Sequence, residues 1–240
     1  MDVILQLFRY DLDNCSNETE RQKKETRQNE LVVCLLRNSS NPYIKSIHIF
    51  VDTQNTKEFY SDIVEPYINK VIFVEHGRQP TYSDILLYIT KTFDDGKTVC
   101  IMNSDIFFNS PNDNVLIEKI VRPNRLISLT RHEFTNENHT ICNEDTCPFT
   151  VHGGSSDVFI FQTPVPKNFN YEFVNHKQNL FGAEGVFHKA WKNCGYEICN
   201  PCDSIITIHL HMGRIHFEKY GQVDTPENSL LNLKTKYPID

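Results

Sequence analysis

The sequence lacks an apolar run long enough to cross a membrane, and its start lacks a basic stretch followed by an apolar segment. We therefore expect neither a transmembrane segment nor a signal peptide. An excess of positive charge is also missing, because the formal net charge is -7 at pH 7. Nucleic-acid-binding proteins usually carry a basic face, so no nucleic-acid partner is predicted. These absences predict a soluble, cytoplasmic protein whose eight cysteines are reduced.

Glycine is scarce, with 9 residues in 240, and residues 9–13 contain none. A nucleotidyltransferase usually has a Gly-rich phosphate loop after its first strand, so this absence counts against that class. The sequence has no Gly-x-Ser-x-Gly motif, which excludes the nucleophile elbow of serine hydrolases. It also has no internal repeat and no clear domain boundary. A chain of 240 residues is compatible with one α/β domain.

Apolar and amphipathic segments alternate through the first 105 residues, which predicts a parallel sheet with helices on its faces. Strands are expected at 3–8, 44–51, 71–74 and 98–102, and helices at 18–36 and 81–93. Residues 58–67 are helix-like or irregular, and residues 38–42 form a turn. Thr81 or Ser83 is expected to cap the helix that begins there.

The second half is less regular. Strands are expected at 126–131, 157–161 and 205–211, and a helix at 186–194 that ends before Gly195. Residues 134–154 are polar and are expected to form a long loop.

Asp105 directly follows the fourth predicted strand, which is apolar on both faces. Ligands of open α/β sheets bind outside the carboxyl ends of the strands, so Asp105 lies where a substrate is expected. A carboxylate there can hold a divalent cation that neutralises charge on a departing diphosphate. It can equally be a turn residue or a helix cap, and Asp105 alone does not decide between the two.

Two histidines, His209 and His211, fall on one face of the last predicted strand together with Thr207. A site that combines a carboxylate with imidazoles suits Mn²⁺ better than Mg²⁺, because imidazole is a softer donor than water or carboxylate. Both histidines can instead be structural residues that only form hydrogen bonds.

Glu184 lies between Gly182 and Gly185, where a ligand can approach the backbone closely. Its carboxylate could act as the general base that deprotonates a hydroxyl group. It can also be an acidic residue that complements the dipole at a helix N-terminus, without any catalytic role.

Several segments, taken in order, resemble successive motifs of GT-A nucleotide-sugar transferases, a group found in bacteria and large DNA viruses. The segments are 78–84 (RQPTYSD), 101–108 (IMNSDIFF), 128–131 (SLTR), 156–161 (SDVFIF), 195–201 (GYEICNP) and 209–211 (HLH). The resemblance implies a GT-A (Rossmann-like) fold with a mixed, mostly parallel central sheet flanked by helices. It also implies one domain over 1–240, with a nucleotide-binding half (1–105), an acceptor and metal half (106–220) and a tail (221–240). A viral origin would place the protein in the host cytoplasm.

Residues 103–105 (NSD) resemble the Asp-x-Asp metal motif of these transferases, with Asn103 in place of the first acid. The resemblance implies that Asp105 binds Mn²⁺ or Mg²⁺, with His211, or alternatively His209, as a further ligand. The implied donor-binding residues are Phe8, Arg9, Tyr10, Asp52, Arg78, Tyr82, Asp84, Asn103 and Ser104.

Glu184 precedes Gly195 by eleven residues, a spacing similar to that of the acidic base in related transferases. Asp157 is the competing candidate for the base. The implied activity is metal-dependent transfer from a nucleoside-diphosphate sugar, with UDP-sugars favoured, to a glycan or other hydroxyl acceptor. Inversion at the anomeric carbon is expected, although the sequence is also compatible with retention, and Arg78 and the metal would stabilise the departing diphosphate.

Three other interpretations are compatible with the sequence. The chain could be a non-catalytic nucleotide- or sugar-binding protein of the same fold, or a nucleotidyltransferase. A structural zinc site is the third, since Cys142, Cys147, Cys199 and Cys202 supply four thiols, with Cys194 and His152 nearby in the sequence.

Overall fold

A computed structural model of the protein describes residues 1–134, 149–151, 156–180 and 182–211, without the side chains of 149–151. Most of the predicted loop 134–154 and all of the predicted tail 221–240 lie outside the described residues.

The described chain alternates strands and helices in its first half and is richer in short strands in its second half. The strands are β1 (Asp2–Leu7), β2 (Ser46–Val51), β3 (Val71–Glu75), β4 (Thr98–Met102), β5 (Ile106–Phe108), β6 (Arg125–Leu129), β7 (His132–Phe134), β8 (Phe149–Val151), β9 (Val158–Gln162), β10 (Glu197–Cys199) and β11 (Thr207–His209). The α-helices are α1 (Glu18–Ser40), α2 (Gln54–Ile63), α3 (Tyr82–Thr92), α4 (Pro111–Ile120) and α5 (Ala183–Asn193). Two 3₁₀ segments are Glu65–Lys70 and Glu172–Val174.

The larger sheet has seven strands in the order β10-β6-β9-β4-β1-β2-β3. β1 pairs in parallel with β2 and with β4, β2 pairs in parallel with β3, and β10 pairs in parallel with β6. Strand β9 runs antiparallel to both of its neighbours, β4 and β6. The start of β9 therefore lies at the same sheet edge as the ends of β4 and β6. This edge carries the polar residues Asn103, Asp105 and Asp157.

The central strand β4 is buried on both faces, as its sequence predicts. Cys100 and Met102 pack in one apolar cluster with residues of α1, α2 and α4, whereas Val99 and Ile101 pack in a second cluster with residues of α3 and α5. All four side chains have 0% exposure. The sheet is thus a middle layer between two layers of helices.

A second, smaller sheet has the order β5-β11-β7-β8. β11 is antiparallel to β5 and parallel to β7, and β7 is antiparallel to β8. Since β5 follows β4 after only three residues, this sheet extends from the edge where β4 ends. It brings β11 beside the end of β4.

Polar side chains fix where the helices begin. Thr81 caps α3 and forms a reciprocal capping box with Asp84, which decides between the two predicted caps. Ser110 and Asp113 form the same arrangement at the start of α4. Gly195 follows α5 with φ +83°, a left-handed conformation that glycine adopts without strain, as expected for the residue after a helix.

The sequence predicts the strands of the first half to within two residues. The differences concern local boundaries and the second half. Helix α1 continues through Ser40 into the predicted turn, residues 54–70 form α2 and a 3₁₀ segment, and β11 is shorter than 205–211. Helix α4 and strands β5, β7, β8 and β10 were not expected. None of the helices in the described ranges combines the length and apolarity that a bilayer span requires.

Candidate active site

Asp105 lies in the turn between β4 and β5, at the carboxyl edge of the large sheet. Its backbone oxygen accepts a hydrogen bond from the Leu210 N–H at 3.0 Å, so the segment after β11 is fixed against this turn. Its carboxylate oxygen Oδ2 contacts the Arg27 guanidinium and the Nε2 atom of His209, the latter at 2.9 Å. Its other oxygen, Oδ1, receives no hydrogen bond from a described residue.

His209 and His211 lie on the same side of the chain, with ring centroids 5.2 Å apart. The pairing of β11 with β5 sets His209 opposite Ile106, next to Asp105. Ligand atoms of Asp105, His209 and His211 all lie within 4.8 Å of one another. The three residues named as candidate ligands from the sequence are therefore neighbours in the structure.

Glu133 on β7 completes a chain of charges around His209. The Nδ1 atom of His209 lies 2.6 Å from a Glu133 carboxylate oxygen, while Nε2 faces Asp105. Burial alone would lower the pKa of His209, but the two carboxylates raise it to about 9. Burial opposes ionisation of Glu133, yet its hydrogen bond with His209 lowers its pKa to about 2. His209 therefore bridges two carboxylates as a double donor.

His211 has the opposite electrostatic environment. Burial, and then the positive charges of Arg27 and His209, lower its pKa to about 4. The imidazole is therefore neutral at neutral pH, which is the form that binds metals. An ionised Asp105 and a neutral His211 fit a borderline cation such as Mn²⁺, and the Oδ1 atom of Asp105 has no competing hydrogen bond among the described residues.

Arg27 reaches this cluster from α1. Its guanidinium pairs with Glu30 at 2.7 Å, donates to the Leu210 carbonyl oxygen at 2.5 Å and contacts Asp105. Arg27 is 7% exposed and Glu30 is 4% exposed. A charge of each sign is therefore removed from water beside Asp105, and the pairing compensates both.

A second group of charges lies at the start of β9. Asp157 is 3% exposed, and its Oδ1 atom accepts hydrogen bonds from Asn103 Nδ2 at 2.7 Å and from the Arg131 guanidinium at 2.8 Å. Arg131 also pairs with Glu133 at 2.6 Å. The hydrogen-bonded chain thus runs from Asp105 through His209, Glu133 and Arg131 to Asp157.

Glu184 is the second residue of α5 and is partly buried. Burial, and then the nearby negative charge of Asp157, raise its pKa to about 7. Gly182 before it has φ +83°, which favours glycine. At Gly185 the described protein has room for a side chain, because a Cβ atom there would meet nothing within 4 Å.

The residues predicted to bind the donor follow β1 (Phe8, Arg9 and Tyr10), β2 (Asp52), β3 (Arg78) and β4 (Asn103 and Ser104), or lie at the start of α3 (Tyr82 and Asp84). Phe8 and Tyr10 rings are in edge contact, and the Arg9 guanidinium lies over the ring of Phe59. Asp52 accepts a hydrogen bond from the Thr56 hydroxyl at 2.9 Å, near the start of α2. Ser104 is partly exposed in the turn beside Asp105.

Asp84 and Tyr82, which are predicted to bind the donor, both have structural partners. Asp84 caps α3 and pairs with the exposed Arg78 at 2.9 Å. Tyr82 is 1% exposed and packs on Phe187 with ring centroids 4.4 Å apart. Burial, then the charges of Glu184 and Asp157, raise the pKa of Tyr82, so its ring belongs to the core beneath these carboxylates.

Cys199 and Cys202 are both buried and form no disulfide. The group of His, Cys, Asp and Glu side chains that can hold a metal within the described residues contains neither thiol. Cys142, Cys147 and His152, which the zinc interpretation also requires, lie outside the described residues.

Three charged residues of the site, Arg27, Glu133 and Arg131, are absent from the set predicted from the sequence. Arg27 carries a detectable signal, since Leu31, Cys34 and Asn38 follow it at helical spacing and all are buried. A cation on the buried stripe of a helix needs a partner. Glu133 lies on the three-residue strand β7, and Arg131 lies just before it. Their positions depend on how β7 pairs in the small sheet, which no local sequence pattern predicts.

The fold resembles those of solved structures. A mannosyltransferase from Pyrobaculum calidifontis, in complex with GDP-Man and Mn²⁺, superposes with a TM-score of 0.54 at 11% identity, covering 91% of this chain and 58% of that one. This chain therefore spans less than two thirds of that protein. The fold is of the GT-A type. The predicted fold class, a mostly parallel central sheet flanked by helices, is confirmed.

Two further structures are more distant. A 4-diphosphocytidyl-2C-methyl-D-erythritol synthase from Anaerococcus prevotii has 12% identity and a TM-score of 0.49, covering 95% of this chain and 93% of that one. A protein described as mannose-1-phosphate geranyltransferase, from Thermus thermophilus, has 9% identity and a TM-score of 0.41, covering 87% and 73%. No family model and no curated protein sequence matches the chain.

Proposed function

We propose that the protein is a metal-dependent glycosyltransferase that moves a sugar from a nucleoside diphosphate to a hydroxyl acceptor. One observation carries the proposal. A hydrogen-bonded chain of charged groups runs from the candidate metal ligand Asp105 to Asp157 through His209, Glu133 and Arg131. Burial, and then the charge of Asp157, raise the pKa of the candidate base Glu184 to about 7. Sugar transfer needs both functions in one site, a cation for the departing diphosphate and a base for the attacking hydroxyl.

The metal ligands in this proposal are Asp105, through Oδ1, and His211. His209 has both ring nitrogens engaged with carboxylates, and together with Arg27 it holds Oδ2. We therefore assign His209 as the residue that orients Asp105, which reduces the two predicted histidine ligands to one. A bound Mn²⁺ or Mg²⁺ would supply positive charge to the diphosphate of the donor.

The donor is assigned to the edge formed by the ends of β1, β2 and β3. Arg78 is suited to a diphosphate because its side chain is 56% exposed and its planar guanidinium can bind two phosphate oxygens. Phe8, Arg9, Tyr10 and Asp52 would hold the base and ribose, with UDP as the first nucleotide to test. This assignment retains the proposed division into a nucleotide-binding half, 1–105, and an acceptor half, 106–220.

Glu184 is the proposed general base. Its pKa of about 7 lets a large fraction be ionised near neutral pH while leaving it more basic than an exposed carboxylate. The acceptor hydroxyl transfers its proton to Glu184 as its oxygen bonds to the anomeric carbon. The bond from that carbon to the diphosphate oxygen breaks at the same time, and the diphosphate carries away the electron pair. Attack opposite the leaving group inverts the anomeric configuration.

A nucleotidyltransferase is the second candidate, because such enzymes share a related fold. Its attacking group is a phosphate, which is already ionised and needs no base. The raised pKa of Glu184 therefore favours a hydroxyl acceptor. A non-catalytic binding protein would retain the donor site without turnover.

The test is a screen of UDP-glucose, UDP-galactose, UDP-N-acetylglucosamine and GDP-mannose, each with and without MnCl₂. We expect at least one donor to raise the melting temperature only when Mn²⁺ is present, since a ligand of the native state stabilises it. Donor turnover to the nucleoside diphosphate, followed by chromatography, then identifies the reaction. Release of pyrophosphate with a nucleoside triphosphate would indicate the nucleotidyltransferase, and binding without turnover would indicate the binding protein.

A further inference from the structure

The Asp157 carboxylate is satisfied on one oxygen only. Oδ1 accepts from Asn103 at 2.7 Å and from Arg131 at 2.8 Å, whereas Oδ2 is buried without a hydrogen-bond partner among the described residues. Asp157 is 3% exposed, so bulk water does not readily supply the missing hydrogen bond to Oδ2. A buried acceptor without a donor is costly, which indicates that a ligand supplies the donor.

The backbone holds this side chain in a fixed position. The N–H of Asn103 donates to the Asp157 carbonyl oxygen at 3.0 Å, and the N–H of Asp157 donates to the Leu129 carbonyl oxygen at 3.2 Å. Asp157 is thus fixed between the ends of β4 and β6. The two donors on Oδ1 prevent the carboxylate from rotating to satisfy Oδ2.

The charge around Asp157 favours a neutral ligand over a cation. Arg131 already compensates the carboxylate, and Asn103 donates to it as a neutral amide. A hydroxyl group is the neutral donor that a sugar offers in quantity. Burial, and then the charge of Asp157, raise the pKa of Glu184, so the two carboxylates influence each other electrostatically.

This arrangement gives a physical reason for Asn103 at the position of the first acid of an Asp-x-Asp motif. An aspartate at this position would place a second anionic acceptor against Oδ1 of Asp157, with no hydrogen between them. The amide instead donates a hydrogen bond.

We propose that Asp157 is a specificity-determining residue whose Oδ2 atom accepts a hydrogen bond from a sugar hydroxyl, and that Asn103 is the positioning residue that orients it. The inference rests on the proposed glycosyl transfer, because it assumes that a sugar enters the site. It assigns Asp157 to substrate binding and leaves proton transfer to Glu184.

Asp157→Asn is a sharp test because the orientation of the new amide is determined by its neighbours. Both groups that face Oδ1 are donors, so the amide oxygen of the variant must face them and its NH₂ group must take the place of Oδ2. The variant keeps the hydrogen bonds that hold the fold and converts the free acceptor into a donor. A second variant, Asn103→Ala, removes one of the two donors on Oδ1 and leaves the Asp157 carboxylate in place, so it tests whether Asn103 orients that carboxylate.

The experiment measures dissociation constants for UDP-glucose, UDP-galactose and GDP-mannose and for analogues with one hydroxyl replaced by fluorine, which cannot donate. UDP and GDP without a sugar are the controls. We expect the wild type to prefer one hydroxyl over fluorine by about tenfold, Asp157→Asn to lose that preference, and Asn103→Ala to retain only part of it. UDP and GDP should bind the wild type and Asp157→Asn with closely similar affinity.

A second arm replaces hydroxyls of the acceptor in the same way and compares kcat/KM. Loss of discrimination in the donor arm assigns the hydroxyl to the donor sugar, and loss in the acceptor arm assigns it to the acceptor. If Asp157→Asn discriminates hydroxyl from fluorine as well as the wild type in both arms, the inference is wrong. If the wild type binds UDP and GDP but gains nothing from any attached sugar, the proposed function itself fails.

Discussion

Arg27 on α1 and Asp105 after β4 form a buried ion pair that joins the first helix to the candidate metal site. The two residues are 78 positions apart, and Arg27 also binds Glu30 and the backbone at Leu210. The pair orients the Asp105 carboxylate from one side while His209 holds it from the other.

Replacing Arg27 with methionine should destabilise the protein by about 3–5 kcal/mol, because it removes the buried positive charge that pairs with both Glu30 and Asp105. Arg21→Met on the same helix is the matched control, since Arg21 and Glu25 form an exposed pair at 3.1 Å. That variant should cost much less than Arg27→Met, because an exposed ion pair contributes little to stability. Urea unfolding of both variants provides the comparison, and equal effects would contradict a special role for Arg27.

Mn²⁺ binding should separate the roles of the two histidines. His211→Ala removes a proposed ligand and should abolish measurable binding, as should Asp105→Asn. His209→Gln removes an orienting group and should weaken binding by about 10–100-fold. Electron paramagnetic resonance of free Mn²⁺ without nucleotide gives the affinities. His76→Gln, away from the cluster, serves as the control, and a stronger effect at His209 than at His211 would reverse the assignment.

Glu184→Gln should leave donor binding intact and reduce transfer by at least about a hundredfold, since general-base catalysis contributes about 10²–10⁴. In the wild type, kcat/KM at saturating Mn²⁺ should rise with pH through an apparent pKa near 7, because the base must be ionised. The variant should lack that rise. Full activity in Glu184→Gln would eliminate Glu184 as the base.

The same carboxylate predicts a pH-dependent difference in stability. Its pKa is raised from 4.5 to about 7, so the folded state favours the neutral form. The stability that protonated Glu184 gives to the folded state is fully present below about pH 4.5 and is lost as the pH rises through about 7. Relative to the wild type, Glu184→Gln should therefore gain up to about 3 kcal/mol between those values. Chemical denaturation at about pH 4.5 and about pH 7.5 tests this, and a constant difference would argue against the raised pKa.

Asp84→Ala should cost about 1 kcal/mol, because Asp84 completes the capping box of α3. Asp113→Ala in the equivalent box of α4 should cost a similar amount. If residues 78–84 also contact the nucleotide, only Asp84→Ala should weaken UDP or GDP binding. Calorimetric titration of both variants decides whether Asp84 has a role beyond the cap.

Local sequence patterns determined the strands and most helices of the first half. Runs such as residues 99–102 are apolar on both faces, and a strand of that kind is stable only in the middle of a sheet. They also predicted that Asp105 follows a strand and that Glu184 lies at the N-terminal end of a helix, because strand ends and helix starts have strong local signals. The short strands β5, β7 and β10 have no such signal, since three residues show no reliable period.

Tertiary structure alone decided which charges meet. Asp157 lies beside Asn103 because β9 runs antiparallel to β4, and Glu133 reaches His209 because β7 pairs with β11. In the sequence, Arg27 belongs to a polar helix, and its burial depends on how α1 packs against the end of β4. Residue types and spacing thus predicted which groups could perform the chemistry. The hydrogen bonds that orient those groups join residues far apart in the chain, so they depend on pairing and packing that no local pattern encodes.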